Sequence, residues 1–485
     1  MRATALTAAR VLALAGPTAL AFFAGGYFDG PRAWAGALAW LGVLIAAVAG
    51  ARLPRGRPAA VTIGGLALLG AWTLLSILWA PLAGNAYHAG QIVVLYLGAL
   101  VGAAMLFGDR PGRLVDPVLA AGTLVVIGYG LSERLLPGLL HFSRSLSAQG
   151  RLEEPLTYWN TMGEVAAIGL VLCARVAGDA ARRPWLRGLA AAAAGPLGMG
   201  LYVSFSRGAL FACAAGLVAL IIAAARREQL RAAGICVMAG LLAAVAAAPF
   251  GGVTSLQGAL GTRERQGAIG LVLLVLIGVA AALGQLLLIG REQPGALKLP
   301  RRAPVFAVAV ICAGLALAIA VGAHERSTVS QPLSGGATRL VTLQSNRYAY
   351  WDVALRAFAR EPVHGVGAGG WSVYWLRWRT VAEFAQDAHS LPLQVLAELG
   401  IVGLALLAVF LVGLALAAAR ALRQGPVAAG PVAGLVAYFA HAPLDWDWQM
   451  PAVTLIAMVL AGTLLARTAP PGSGPGRTPV AADAD

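Results

Sequence analysis

The run Asp387-Ala388-His389-Ser390-Leu391-Pro392-Leu393-Gln394-Val395-Leu396-Ala397-Glu398-Leu399-Gly400 sets a histidine at the mouth of an apolar helix and a carboxylate inside it. It closes the one long polar segment of an otherwise apolar chain. A titratable ring at a bilayer rim, followed by an ionisable residue where hydrocarbon is expected, is unfavourable unless it is used. A neutral imidazole can take a proton from a hydroxyl, so His389 reads as a candidate general base. Glu398 lies more than two turns into the helix, better placed to pair with a buried Arg or Tyr than to touch a ligand.

Two arginines stand out beside it. Val203-Ser204-Phe205-Ser206-Arg207-Gly208 is a very short turn that holds Arg207 between two apolar spans, where a guanidinium is expected to meet an anion. Arg347, in Ser345-Asn346-Arg347-Tyr348-Ala349-Tyr350-Trp351-Asp352, opens an amphipathic helix whose aromatic residues suit a membrane interface and could carry it to a lipid phosphate. Asp352 and Arg356 have the spacing of an intrahelical pair.

The elements that must position these groups follow from composition. With 59% hydrophobic and 12% charged residues in 485, and a mean hydropathy of +0.76, the chain reads as an all-α polytopic membrane protein. Apolar runs long enough to span recur over 6–23, 33–49, 61–78, 92–107, 114–131, 161–177, 188–203, 208–225, 232–250, 268–289, 305–321, 391–419, 427–440 and 453–466, about fourteen helices in all. Arg2 and Arg10 at the start of the chain, with the apolar residues that follow, resemble a secretory signal, but another span follows at once, so the first run reads as a helix.

Arginines in alternate short loops orient the bundle: Arg52, Arg55, Arg57; Arg110, Arg113; Arg182, Arg183, Arg187; Arg226, Arg227, Arg231; Arg291, Lys298, Arg301, Arg302; Arg420, Arg423. Both termini are then expected in the cytoplasm, and the net charge of +15 serves orientation rather than nucleic-acid binding. The outward segments are 133–160, 204–207, 251–266, 324–390 and 443–450. Arg134, Arg144, Arg151, Arg207, Arg339, Arg347, Arg356 and Arg360 lie in them against the orientation rule, for anion binding, headgroup anchoring or carboxylate pairing.

This divides the chain into N-terminal transmembrane helices (1–150), central transmembrane helices with the Arg207 turn (151–323), an extracytoplasmic loop with short amphipathic helices (324–390), C-terminal transmembrane helices (391–467) and a disordered tail (468–485). Cys173, Cys213, Cys236 and Cys312 lie in apolar spans at spacings that fit neither a metal knuckle nor a loop disulfide, as small core residues do. Gly365-Val366-Gly367-Ala368-Gly369-Gly370 matches a dinucleotide-loop spacing without the preceding strand, and reads as a turn. Asp445-Trp446-Asp447 reads as a polar outward turn, and Trp371, Trp375 and Trp378 as an interfacial aromatic belt.

The outward segment ending in His-Ser-Leu-Pro-Leu-Gln-Val-Leu-Ala-Glu-Leu-Gly, preceded by Glu361-Pro362-Val363-His364-Gly365-Val366-Gly367 and by the Ser-Asn-Arg-Tyr helix, resembles the O-antigen ligase and polymerase superfamily. Arg151-Leu152, Tyr158-Trp159-Asn160 and the Ser-Phe-Ser-Arg-Gly turn are similar to that family's upstream elements, so the likeness runs roughly from Arg151 to Pro451. Relative to the smaller ligases, extra helices stand between Ala232 and Val321.

The resemblance implies an inverting membrane glycosyltransferase of the cell envelope. Such enzymes move a glycan from an undecaprenyl pyrophosphate carrier to a glycan or lipid acceptor hydroxyl on the outer face of the cytoplasmic membrane, without metal or other cofactor. It implies His389 as the catalytic histidine and Arg207 and Arg347 as pyrophosphate ligands. Arg151, Tyr158, Asn160, Asp387, Glu398 and Asp445 are carried as further donor or acceptor contacts. The residues agree with this reading: no βαβ pattern is present to hold a nucleotide-sugar, so an outward transferase needs a lipid-linked donor, and arginines can neutralise its leaving pyrophosphate much as a metal would.

Ligase and polymerase remain open here, as does a transporter or flippase. The last would place ionisable residues along a path near the bilayer midplane, whereas these crowd the outer rim.

Overall fold

The computed structural model describes residues 2–107, 111–143, 145–291, 295–300, 302–324, 340 and 345–467. Residues 325–339 and 341–344 of the expected 324–390 loop, the 468–485 tail, and Arg110, Arg144 and Arg301 lie outside them. Among the described residues the chain is helical, and a lone bridge joins Arg226 to Ala296.

The helices in chain order are α1 (Arg2–Ala21), α2 (Asp29–Val48), α3 (Arg57–Leu75), α4 (Ala83–Leu106), α5 (Val115–Leu135), α6 (Trp159–Gly178), α7 (Pro184–Val203), α8 (Arg207–Ala223) and α9 (Arg227–Ala247). There follow α10 (Gly251–Thr254), α11 (Leu260–Ile289), α12 (Ala303–His324), α13 (Arg347–Arg360), α14 (Trp371–Trp378), α15 (Leu391–Arg423), α16 (Ala429–His441) and α17 (Pro451–Ala466).

Each expected apolar run falls on one of these helices. Nine among the described residues are long and apolar enough to cross a membrane: α1 to α6, α9, α11 and α15. The chain is therefore an all-helical, multi-spanning membrane protein. Cys173, Cys213 and Cys236 are buried in it as small core residues, and Cys312 is exposed on α12.

The fold is built around α6, whose apolar window is wholly buried. It packs against α5, α7, α8, α9 and α16. Along α6, Gly163 and Gly169 allow close approach: a Cβ on Gly163 would come within 2.9 Å of Ala209 Cβ, and one on Gly169 within 2.9 Å of Thr123 Cβ.

The helix containing Glu398 is not continuous. Gly400 sits at φ 66°, ψ −164°, which breaks α15 into a leg of residues 391–399 and a long span of residues 401–423. A side chain is excluded there, since a Cβ would lie 2.2 Å from the Val363 carbonyl oxygen.

Backbone groups freed by a break inside a membrane bundle need other partners. The Pro362 to Gly367 stretch supplies them: Val366 N donates to Ala397 O at 3.0 Å, Gly367 N to Glu398 O at 2.8 Å, and Ile401 N to Pro362 O at 2.9 Å. The glycine-rich run is thus the partner of the α15 break. Gly365, at φ 72°, is required because a Cβ would meet the Glu398 carbonyl carbon at 2.3 Å.

α13 and α14 pack on the first leg of α15 in a small core of their own, with Tyr350, Val353, Ala357, Trp371 and Trp375 buried. This corrects the expected aromatic belt: Trp371 and Trp375 are fully buried and stacked at 5.5 Å. Asp352 and Arg356 pair at 2.6 Å, as their spacing predicts. The Asp445-Trp446-Asp447 turn, expected to face outward, is buried at both carboxylates.

Candidate active site

Tyr158 precedes the first turn of α6 and Asn160 lies within that turn. Asn160 Nδ2 donates to Tyr158 Oη at 2.7 Å, and Tyr158 Oη donates to Asp445 Oδ1 at 2.8 Å. The other Asp445 oxygen accepts from Arg347 Nη2 at 2.5 Å. Residues far apart in sequence thus form one chain of hydrogen bonds around a fully buried carboxylate.

Burial by itself raises the Asp445 carboxyl, but Arg347 above all, with His389 and His441 nearby, holds it below the usual carboxylate range. Burial and the Asp445 charge push the Tyr158 hydroxyl well up, so it remains a neutral donor. Of the ion pair, only the Arg347 side chain reaches solvent, at 21% exposure against 0% for Asp445. The buried carboxylate thus holds a guanidinium that still reaches solvent.

Tyr350 stands one turn along α13 from Arg347, and its ring lies 4.9 Å from the His389 ring. Trp446, beside Asp445, is 6.1 Å from the same ring and 4.6 Å from that of Tyr158. His389 Nδ1 is 2.9 Å from the Asp387 carbonyl oxygen. A carbonyl only accepts, so in the neutral ring Nδ1 carries the proton and Nε2 is the basic nitrogen.

His389 adopts φ 52°, a left-handed conformation that non-glycine residues hold only when their surroundings impose it. The surroundings are explicit. Leu391 N donates to Ala442 O at 2.9 Å, and Gln394 bridges the segment, donating from Nε2 to Asp387 Oδ1 at 2.8 Å and accepting from Ala388 N at 3.3 Å. Burial pushes the Asp387 carboxyl up, against the opposing hydrogen bond from Gln394.

Arg207 begins α8 at the same end of the bundle. Ser206 caps that helix, its Oγ accepting from Ala209 N at 3.2 Å, and Phe205 makes the turn at φ 48°. The turn borders the segment that leads to Asp445, since a Cβ on Gly208 would meet the His441 ring at 2.9 Å and Leu444 Cβ at 3.7 Å.

Two of the expected contact residues also make contacts within the fold. Arg151 lies with its guanidinium carbon 3.7 Å from the Trp159 ring centroid and donates to the carbonyls of Ala148 and Ser147 at 2.7 and 2.6 Å. Among the described residues Glu398 pairs with neither an Arg nor a Tyr, the partners expected for it; its Oε1 accepts from Trp371 N at 3.3 Å.

Sequence reasoning missed Glu164 and His441, both fully buried and both close to Asp447. The signal was present: Glu164 is an acid in the second turn of an apolar span, on one helix face with Asn160 and Thr161. Asp445 and Asp447 have different partners. The first turns to Tyr158 and Arg347, the second to His441 and Thr161.

No curated protein matches the chain. Residues 250–408 match the family model described as O-antigen ligase, a stretch that contains Arg347, Asp387, His389 and Glu398 but leaves Arg207, Tyr158, Asn160 and Asp445 outside. With the polar network at one end of a multi-spanning helical bundle, that match relates the chain to the O-antigen ligase superfamily.

Proposed function

We propose that the protein is a membrane glycosyltransferase that moves a glycan from a polyprenyl pyrophosphate carrier to an acceptor hydroxyl, at the outer face of the cytoplasmic membrane. The observation that carries the reading is the juxtaposition of Arg347, oriented by buried Asp445, with the His389 ring seated on Tyr350 one turn away. A cation and a base side by side are what displacement of a phosphate leaving group by a hydroxyl requires.

In the proposed step, His389 Nε2 takes the acceptor hydroxyl proton as that oxygen attacks the anomeric carbon. The bond to the pyrophosphate oxygen breaks on the opposite face, which inverts the configuration. The departing lipid pyrophosphate keeps the electron pair, and Arg347 and Arg207 neutralise its growing charge. The alternation of basic loops supports a cytoplasmic position for both termini.

The test is a reconstituted transfer assay with purified lipid-linked donor and acceptor, with chelator present. Wild-type protein should form product at an undiminished rate and His389→Ala should not. Full activity in His389→Ala, or a strict requirement for added divalent ion, would remove this mechanism.

A further inference from the structure

Just inside the Asp445–Arg347 pair lies a second polar group that the proposed step does not use. Glu164, His441 and Asp447 are each fully buried. His441 Nδ1 bonds Asp447 Oδ2 and stands 3.8 Å from Glu164 Oε2. Thr161 Oγ1 donates to Asp447 Oδ1 at 3.1 Å, and Thr454 Oγ1 to the Asp447 carbonyl at 2.8 Å. Among the described residues, neither Glu164 oxygen nor His441 Nε2 has a hydrogen-bond partner. Burying such groups in an apolar bundle is unfavourable, so their presence calls for a reason beyond packing.

Their placement supplies one. Asn160, Thr161 and Glu164 share one face of α6 beside both carboxylates of the Asp-Trp-Asp turn: Tyr158, which accepts from Asn160, donates to Asp445, while Thr161 and His441 hold Asp447 and Glu164 stands behind His441. Between the two carboxylates, Trp446 is presented to His389. On its other side the His441 ring lies against Gly208, next to Arg207, so closely that a Cβ would meet it at 2.9 Å. A single buried ring therefore borders both the turn that orients Arg347 and the turn that bears Arg207.

We propose that Glu164 and His441, acting through Asp447, are positioning residues of the transfer site: they fix the Asp445–Trp446 turn against Arg347 and His389 and set the Arg207 turn in register with it. The inference rests on the transferase reading and adds to it residues that touch neither donor nor acceptor.

The experiment compares Glu164→Gln, His441→Asn, Thr161→Val, Asp445→Asn and the double variant His441→Asn/Asp445→Asn in the reconstituted assay, with thermal stability recorded for each. Misplacement by a fraction of an ångström to an ångström predicts a kcat loss of about tenfold to a hundredfold for Glu164→Gln and His441→Asn, and a smaller loss in the same direction for Thr161→Val.

If His441 works through the Asp445 turn, the double variant loses no more than the worse single one. Multiplied losses in the double variant, or wild-type kcat in folded Glu164→Gln and Thr161→Val, overturn the proposal; those two variants decide it even where His441→Asn fails to fold. Binding of undecaprenyl pyrophosphate to Arg347→Ala separates the two levels. Undiminished binding sinks the transferase reading itself, whereas weakened binding together with wild-type kcat in the α6 variants sinks only the positioning role.

Discussion

Asp445 Oδ2 accepts a hydrogen bond from Arg347 Nη2 at 2.5 Å, joining the turn before α17 to the first residue of α13 across 98 positions of sequence. The carboxylate is fully buried and the guanidinium is not, so the pair works as a mount for a cation. Asp445→Asn keeps the shape and removes the charge that orients Arg347.

The direction of the Asp445 shift gives this variant a pH signature. A carboxyl held below its unfolded value contributes stability that is present above that unfolded value, about 3.9, and is lost as pH falls through the lower folded value. Asp445→Asn should therefore be less stable than wild type by an amount that stays flat from about pH 8 to pH 5 and shrinks only below about pH 4. A gap of about 3 kcal/mol is expected, the low end for a broken buried pair because Arg347 keeps some solvent. Thermal melts across that range measure it, and a gap that closes between pH 7 and 5 would contradict the assigned shift.

His389 combines a chemical role with an unusual backbone. At φ 52° a substituted side chain is strained unless it tolerates the left-handed region, as asparagine does. His389→Asn is thus the cleaner variant: it should insert, hold its thermal stability close to wild type and still bind the lipid pyrophosphate, yet lose about a hundredfold to ten-thousandfold in rate. Equal stability with retained turnover in His389→Asn argues against the base.

Gly400 makes a prediction about the fold alone. With φ 66° and ψ −164°, and a Cβ that would sit 2.2 Å from the Val363 carbonyl oxygen, Gly400→Ala must part the α15 break from the Pro362 to Gly367 segment. It should cost about 3 kcal/mol or more, seen as a lower melting temperature, and proteolysis between residues 361 and 390 should speed up with it. An unchanged melt would mean that the break is not under this constraint.

Much of this architecture was legible in the chain. Apolar runs gave the helices, because a span has to be continuous in sequence. His389, Arg347 and Arg207 drew notice because a charge beside hydrocarbon is unfavourable enough to stand out. The pairing of Arg347 with Asp445 was not legible, since nothing local in either segment fixes their approach over 98 positions. The α15 break was hidden for a related reason: Leu-Gly-Ile reads as uninterrupted helix, and only the docking of Gly365 and Gly367 makes the kink the satisfied state. Trp371 and Trp375 were misread because a row of tryptophans near a bilayer suggests an interfacial belt, whereas here α13 and α14 close over them.

Orientation in the membrane is open to a direct experiment. In a variant whose four native cysteines are replaced, a single cysteine at exposed Ala382 should react with an impermeant maleimide in intact spheroplasts, and one at exposed Gln424 only after the membrane is opened. The alternation of basic loops demands this result, and the reverse pattern would invert the whole topology.

Arg207 tests whether geometry or charge is the requirement. It opens α8 immediately after a capping serine and a left-handed Phe205, so its position is set by backbone as much as by side chain. Lysine keeps the charge and the helix but loses the planar fork that can hold two phosphate oxygens together. Arg207→Lys should fold like wild type and lose about tenfold to a hundredfold in transfer, in line with about 1.5 to 3 kcal/mol for a charge-assisted hydrogen bond. Arg207→Ala should lose more, since charge goes as well. Donor titrations of kcat and KM for both variants, at one ionic strength, show where the loss falls. Equal activity of lysine and arginine here would reduce Arg207 to a point charge, and wild-type activity in Arg207→Ala would make it an anchor of the bundle rather than a ligand of the leaving group.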